Sequence, residues 1–350
     1  MNFSVGIIGL PNVGKSTLFK ALTQQEVNIS NYPFCTIDPN VGIVQVPDER
    51  LDKIAEIVKP PKITPTIIEF VDIAGLVKGA HKGEGLGNQF LAHIREVDAV
   101  VHVIRSFFAA DIKHVENSID PKRDIEIVNI ELMMKDLETI DNYLEKLSRD
   151  AKSPDNKTAK QELEILDKVK KSLNGGKLLA QIDLNEKETE LIEHLNLLTI
   201  KPMIYLINSR GTDEELELLK HLPENTIPLD LKLELDLSEL SREEIEELKL
   251  KPRMNVLIKT CYKILDLITF YTIKGGEEAR AWTAKQGTLA PRAGGIVHTD
   301  FEQKFIRAEV INYLDLVNIG SWHDAKTKGL IKTEGKNYVV KDGDMLEFKI

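Results

Sequence analysis

Short apolar runs alternate with amphipathic stretches over the first hundred residues. Phe3, Val5, Ile7 and Ile8 form one run, residues 66–71 a second and residues 99–104 a third, with a shorter one at 41–46. The 99–104 run, continuously apolar apart from His102, is what a buried parallel-sheet strand requires. Between them, residues 17–22, 48–58 and 89–96 carry helical spacing. Strand–helix alternation predicts an α/β class with a mostly parallel sheet. From residue 120 the period changes. Ile130, Met133, Leu137, Ile140, Leu144 and Leu147 recur at alternating steps of three and four, a coiled-coil seam. A turn containing Pro154, Asp155 and Asn156 follows, then Leu163, Leu166, Val169 and Leu173, closed by Gly175-Gly176. Two such helices predict an antiparallel hairpin arm. Strand pattern returns at 202–208 and 223–229, so the arm is an insertion. A helix at 255–267 closes this unit. Beyond it, residues 268–273, 277–282, 305–310 and 338–348 read as short strands of a separate α+β unit. The expected division is 1–120 with 197–265, 121–196, and 266–350.

The first strand runs straight into Gly9-Leu10-Pro11-Asn12-Val13-Gly14-Lys15-Ser16, and Thr17 opens the next helix. This is the phosphate-loop pattern in its proper strand–loop–helix setting. Glycines let backbone N–H groups close on phosphate, and the helix N-terminus adds its positive end. Asn12, Val13, Gly14, Lys15, Ser16 and Thr17 are therefore candidate nucleotide contacts. Lys15 supplies charge to the outer phosphates and the Ser16 hydroxyl a Mg²⁺ ligand. Thr36 lies in a loop at the spacing of a nucleotide-switch threonine, also a candidate Mg²⁺ ligand. After the 66–71 strand comes Asp72-Ile73-Ala74-Gly75, a second switch signature. Asp72 would hold Mg²⁺ through water, and the Gly75 N–H would sense the γ-phosphate. Leu76 stands where Ras-type GTPases place a water-orienting glutamine, and leucine has no group for that task.

Composition narrows the class. The chain has 350 residues, 42% hydrophobic and 29% charged, as an ordinary globular protein has. Two cysteines, Cys35 and Cys261, suit neither a disulfide framework nor a zinc site, and point to a reducing, cytoplasmic setting. No apolar stretch is long enough for a membrane span. A net charge of −10 argues against a general nucleic-acid binder or sequence-specific DNA recognition. Residues 213–249 carry thirteen acidic and four basic residues, almost the whole excess.

The longer runs resemble the Obg-like ATPase, or YchF, family over nearly the whole chain. They are residues 9–16, Asn31-Tyr32-Pro33-Phe34-Cys35-Thr36, 70–79, Lys82-Gly83-Glu84-Gly85-Leu86-Gly87-Asn88, Arg280-Ala281-Trp282-Thr283 and 290–308. The resemblance implies a Ras-like P-loop domain, an inserted helical hairpin, and a C-terminal TGS domain of β-grasp fold. It also implies ATP hydrolysis in preference to GTP, and a role near the ribosome and in stress responses; a monomer is expected. One segment departs from the pattern. Guanine-specific relatives carry N-K-x-D, and this family N-x-x-E; here the segment is Asn208-Ser209-Arg210-Gly211, with no acid at its end. The family's Ser-Ala-Lys run is replaced by Leu229-Asp230-Leu231-Lys232. Losing the aspartate removes the main reason to prefer guanine without establishing adenine preference. Asn208 and the Ser209 backbone remain candidate base contacts. ATP is the first expectation and a relaxed preference the second.

With Leu76 unable to orient water, His114 is a candidate for that task, with His81 and Lys82 as alternatives. Asn12 sits where some P-loop relatives bind K⁺, a cation that neutralises transition-state charge. The functional expectation is a slow ATPase switch that docks on the ribosome. The alternatives are a GTPase or dual-specificity enzyme, and a nucleotide-binding scaffold with negligible turnover.

Overall fold

A computed structural model describes residues 3–24, 32, 38–73, 86–108, 118–150, 157–274 and 276–350. Thr36, Gly75, Leu76, His81, Lys82 and His114 lie outside the described residues.

The chain runs β1 (Ser4–Ile8), α1 (Lys15–Thr23), β2 (Val41–Gln45), α2 (Glu49–Val58), β3 (Lys62–Thr64), β4 (Ile67–Asp72), α3 (Leu86–Glu96) and β5 (Ala99–Arg105). The long helices α4 (Pro121–Asp150) and α5 (Lys157–Asn174) follow, then a 3₁₀ turn and α6 (Glu186–Glu193). Next come β6 (Met203–Asn208), α7 (Asp213–Leu219), β7 (Thr226–Leu229), α8 (Leu231–Ser238), α9 (Arg242–Glu247) and α10 (Met254–Ile264). The C-terminal part holds β8 (Leu267–Lys274), β9 (Glu278–Lys285), α11 (Ala290–Val297), α12 (Thr299–Gln303) and β10 (Arg307–Asn312). It ends with α13 (Tyr313–Ile319), α14 (Trp322–Thr327), β11 (Lys332–Glu334) and β12 (Asp344–Lys349).

The first sheet has strand order β2-β4-β1-β5-β6-β7 and is parallel except where β2 pairs with β4. Every residue of β5 is buried, because the sheet is covered on both faces. The register pairs Ile7 with Asp72, Ile8 with His102 and Arg105 with Asn208. The C-terminal ends of β1, β4, β5 and β6 therefore meet at one edge, where open α/β sheets place their ligands.

The arm is more than a hairpin. Met133, Ile140 and Leu147 of α4 and Leu166, Val169 and Leu173 of α5 share a core with Leu178, Leu179, Ile192 and Leu197. A third layer, including α6, thus covers the pair. Ile130, expected on the seam, is 51% exposed. The first turns of α4 instead belong to the main core through Ile125, Val128 and Leu132. The arm leaves that core near residue 133, later than the expected boundary at 121. Asp136 fastens the join: its buried carboxylate accepts from the Leu198 and Thr199 N–H groups, each at 2.8 Å, and from the Thr199 hydroxyl at 2.7 Å. Burial pushes this carboxyl above the ordinary range, against those donors.

The C-terminal unit also draws on residues that were expected to belong to the first one. The second sheet has order β11-β10-β12-β8-β9-β3, and β3 pairs in parallel with β9, Ile63 opposite Ala279. The Thr64 hydroxyl donates to Glu278 at 2.7 Å. Leu51 and Ile54 of α2 pack with Tyr271, Ala279, Ala281, Leu316 and Met345. Asp48, the N-cap of α2, accepts from the Tyr271 hydroxyl at 2.5 Å and from Arg50, which also reaches Asp342 at 2.6 Å. Burial alone would raise the Asp48 carboxyl; the Arg50 and Tyr271 hydrogen bonds overcome it and hold the group low. Residues 48–64 therefore pack with the C-terminal unit. Strand β3 was unreadable in sequence because it is three residues long, follows two prolines and has two exposed positions.

Residues 266–350 expressed alone are expected to lack a cooperative unfolding transition, because α2 and β3 are missing from their core. In the full chain, Ile54→Ala should cost about 2–5 kcal/mol, as large-to-small changes at fully buried sites do. Denaturant unfolding followed by the fluorescence of Trp322, which packs against this core, measures both. A wild-type midpoint for Ile54→Ala would place α2 outside that core.

Candidate functional site

The loop after β1 takes its shape from three positive-φ residues: Gly9 at 148°, Asn12 at 64° and Gly14 at 110°. At Gly9 a side chain is excluded outright, since a Cβ would stand 2.4 Å from the Val103 carbonyl oxygen. Asn12 tolerates the left-handed region better than most residues. Gly14 is the N-cap of α1 and offers no side chain to its first turn, so those N–H groups are left for an anion. The Lys15 ammonium curls back over the loop, donating to the Gly9 carbonyl at 3.0 Å and the Leu10 carbonyl at 2.9 Å.

Asn12, Gly14, Lys15, Ser16 and Thr17 line one cavity of about 650 Å³. Its other walls are Phe107, Asn208, Arg210, Asp230, Lys232 and Leu235. Of the residues expected to bind nucleotide, Val13 is buried beneath the loop, and its carbonyl accepts from the Asn208 amide at 3.0 Å. Ser209 turns away. Its N–H donates to the Leu229 carbonyl at 2.9 Å and its hydroxyl to Glu215 at 2.7 Å, so neither donor faces the cavity. Phe107 and Arg210 escaped sequence reasoning. The signal for Phe107 was an aromatic two residues beyond the end of β5 at the ligand edge. Arg105, buried at 1% exposure, donates to the Phe107 carbonyl at 2.9 Å, and its guanidinium lies 4.5 Å from the Phe107 ring centre. Arg210 lies 5.1 Å from the same ring. Asp230 caps α8, accepting from the Lys232 and Leu233 N–H groups at 3.1 and 3.0 Å.

Asp72 ends β4 beside the loop and senses Lys15 electrostatically. Burial pushes its carboxyl up, and Lys15 opposes this. Burial likewise lowers the Lys15 ammonium, opposed by Asp72. Neither the Asp72 carboxylate nor the Ser16 hydroxyl has a hydrogen-bond partner among the described residues. Two hard oxygen donors with spare lone pairs fit Mg²⁺, which takes few protein ligands beside phosphate. Among the described residues no group of three His, Cys, Asp or Glu could hold a metal, so a dedicated all-protein cage is absent there. Under the loop, the fully buried His102 has neither ring nitrogen hydrogen-bonded. Burial, and secondarily Lys15, pulls it down to about 3. It is the core histidine that its strand position predicts.

Sheet order, left-handed glycine turn and uncapped helix start define a P-loop nucleotide-binding protein of the GTPase type, with an appended C-terminal unit. Residues 4–139 match a family profile described as "50S ribosome-binding GTPase", and residues 267–350 match the YchF GTPase C-terminal profile, described as a protein of unknown function. The chain is 46% identical to the "Ribosome-binding ATPase YchF" of Bacillus subtilis, covering 100% of this chain and 99% of that one. It is 48% identical to the protein of the same name in Mycoplasma genitalium, covering 99% and 98%. The solved Schizosaccharomyces pombe "YchF GTPase" superposes with a TM-score of 0.88 at 39% identity, covering 99% of this chain and 98% of that one. The chain belongs to the YchF family. The relatives' names differ on the nucleotide, which turns attention to the base end of the cavity.

His102 gives the site a pH signature. It stays neutral when folded and ionises near its ordinary 6.5 when unfolded. The unfolded state therefore binds more protons between pH 6.5 and about 3, and stability falls as pH falls through that window. The limiting slope from one such group is about 1.4 kcal/mol per pH unit. His102→Leu should flatten the dependence of the denaturation midpoint between pH 7 and 5. An unchanged slope would mean that the imidazole is solvated.

Proposed function

We propose that this chain binds ATP with Mg²⁺ in the Lys15 cavity and hydrolyses it to ADP and phosphate, as a cytoplasmic switch that docks on ribosomes. The observation that carries the reading is the cavity itself. It joins an anion-binding loop and helix start to an aromatic and cationic wall formed by Phe107 and Arg210, with no acid at Gly211 to select guanine. The family relatives named ribosome-binding ATPases support the nucleotide and the partner. A relaxed preference that admits GTP is the second reading, supported by the same missing acid and by the name of the S. pombe relative.

In this reading Lys15 leaves the Gly9 and Leu10 carbonyls for the β- and γ-phosphate oxygens. Loop and α1 N–H groups hold the phosphates, where their fixed dipoles meet charge that develops during transfer. Ser16, Asp72 and Thr36 hold Mg²⁺, which neutralises phosphate charge when bound. Gly75 reads the γ-phosphate and His114 orients the attacking water. Asn12 is the place for K⁺. The arm and the C-terminal unit form the docking surface.

Two variants separate binding from chemistry. Lys15→Ala should abolish ATP binding and turnover in a folded protein. His114→Ala should keep ATP affinity and lose on the order of 10²-fold in turnover. Titration calorimetry and steady-state hydrolysis, run side by side, read both. Full turnover in Lys15→Ala would overturn the site, and full turnover in His114→Ala would remove the histidine from the chemistry.

Docking has its own test. The Lys170–Asp141 pair, at 2.5 Å, closes the arm part-way along. Replacing residues 143–168 by a short turn spares that pair and the main core. Ribosome co-sedimentation should weaken while basal hydrolysis stays the same. Undiminished co-sedimentation would assign docking elsewhere.

A further inference from the structure

The acid missing from position 211 has a counterpart four residues on. Glu215, in the first turn of α7, is 7% exposed although Asp213 and Glu214 beside it are exposed. One of its carboxylate oxygens accepts from the Ser209 hydroxyl at 2.7 Å, the Arg210 N–H at 2.7 Å and the Gly211 N–H at 3.1 Å. Helix capping does not account for this. Thr212 is the N-cap of α7, its hydroxyl accepting from the Glu215 N–H, while the Glu215 carboxylate reaches back into the turn that follows β6. That turn carries Arg210, whose guanidinium lies over Phe107 at the wall of the nucleotide cavity. Gly211 supplies the left-handed φ of 77° that lets two successive N–H groups converge on one oxygen.

We propose that Glu215 is the positioning residue of the base-binding turn, and that it fixes Arg210 over Phe107 so that the two hold the nucleobase by its face. This rests on reading the cavity as a nucleotide site. The chemistry follows from where the carboxylate is spent. Three donors on one oxygen commit the carboxylate to bracing the turn, and we assign it that role rather than the reading of a purine edge. What the turn presents instead is a guanidinium beside an aromatic ring, and a base offers its π-face to such a pair whatever its edge. A fixed turn lowers the ordering cost of that contact on binding. Glu215 therefore acts on affinity for any base-bearing triphosphate and leaves the ratio of ATP to GTP unchanged.

The test uses the full-length chain with Mg²⁺ and three probes: ATP, GTP and inorganic tripolyphosphate, which has no base. Calorimetric titration of Glu215→Ala and Arg210→Ala should show ATP and GTP each weakened about tenfold, with tripolyphosphate within twofold of wild type. Glu215→Gln should recover most of the loss, because its amide oxygen still accepts from the turn. Arg210 is exposed, so its substitution keeps the test open if Glu215→Ala fails to fold. Wild-type ATP affinity in folded Glu215→Ala and in Arg210→Ala would overturn the proposal. So would a loss confined to GTP, which would make Glu215 a direct guanine reader, or a parallel loss of tripolyphosphate, which would make its role structural. Wild-type protein that binds none of the three would overturn the nucleotide reading itself, a different failure.

Discussion

The Asn208 side-chain amide holds the two walls of the cavity together. Its nitrogen donates to the Val13 carbonyl at 3.0 Å and its oxygen accepts from the Leu231 N–H at 3.2 Å. Its main-chain carbonyl takes the Ser106 N–H and hydroxyl at 3.1 and 3.2 Å. One residue at the end of β6 thus ties the phosphate loop, the end of β5 and the start of α8. The glycine at 14 is part of the same device, since a Cβ there would lie 2.6 Å from the Asn208 amide nitrogen. The amide is buried with both ends satisfied, so its loss would strand a carbonyl and an N–H, about 1–3 kcal/mol each. Asparagine at this place is first a brace.

A second constraint follows from the chain path. After β2 the backbone leaves the first sheet, contributes α2 and β3 to the C-terminal core, and returns as β4, whose last residue is Asp72. The return is pinned on several sides. The Val46 N–H donates to the Thr66 carbonyl at 2.9 Å, and the Tyr32 hydroxyl to the Pro65 carbonyl at 3.0 Å. The Tyr262 hydroxyl, hydrogen-bonded with the Thr66 side chain, also joins Thr269 and Thr283 of the second sheet at 2.9 and 3.1 Å. The proposed metal ligand and the edge of the second sheet are therefore ends of one short, well-fastened stretch. The two units are not beads on a linker.

Much of this was legible in sequence because it rests on local pattern. The phosphate loop declares itself through fixed spacings, and the buried strands through apolar runs; β5 and β6 were readable on that ground alone. The arm seam was legible at Met133, Ile140 and Leu147, but Ile130 was assigned to it because periodicity cannot tell which core a helix faces. The strap through α2 and β3 was not legible, since Lys62-Ile63-Thr64 has no period and its partner strand is more than two hundred residues away. The base end of the cavity was half legible. The absence of an acid at 211 showed, whereas the inward turn of Glu215 depends on a backbone shape that Gly211 permits but does not announce. Arg210 over Phe107 joins residues from two strands' ends, a proximity created only by sheet order.

The arm shows how one element can serve two cores. Helix α4 has 30 residues, a rod of roughly 45 Å. Ile125, Val128 and Leu132 anchor its first turns in the main core, while Met133, Ile140 and Leu147 continue into the core of the arm. No break separates the two sets, and Asp136 clamps the returning chain at Leu198 and Thr199 just beyond the junction. A swing of the arm about its base would have to bend a continuous helix or give up three hydrogen bonds to a buried carboxylate, and an unpaired buried charge is among the costlier losses a fold can sustain. The root of the arm is therefore held to the main core by a continuous helix and a buried hydrogen-bonded carboxylate together.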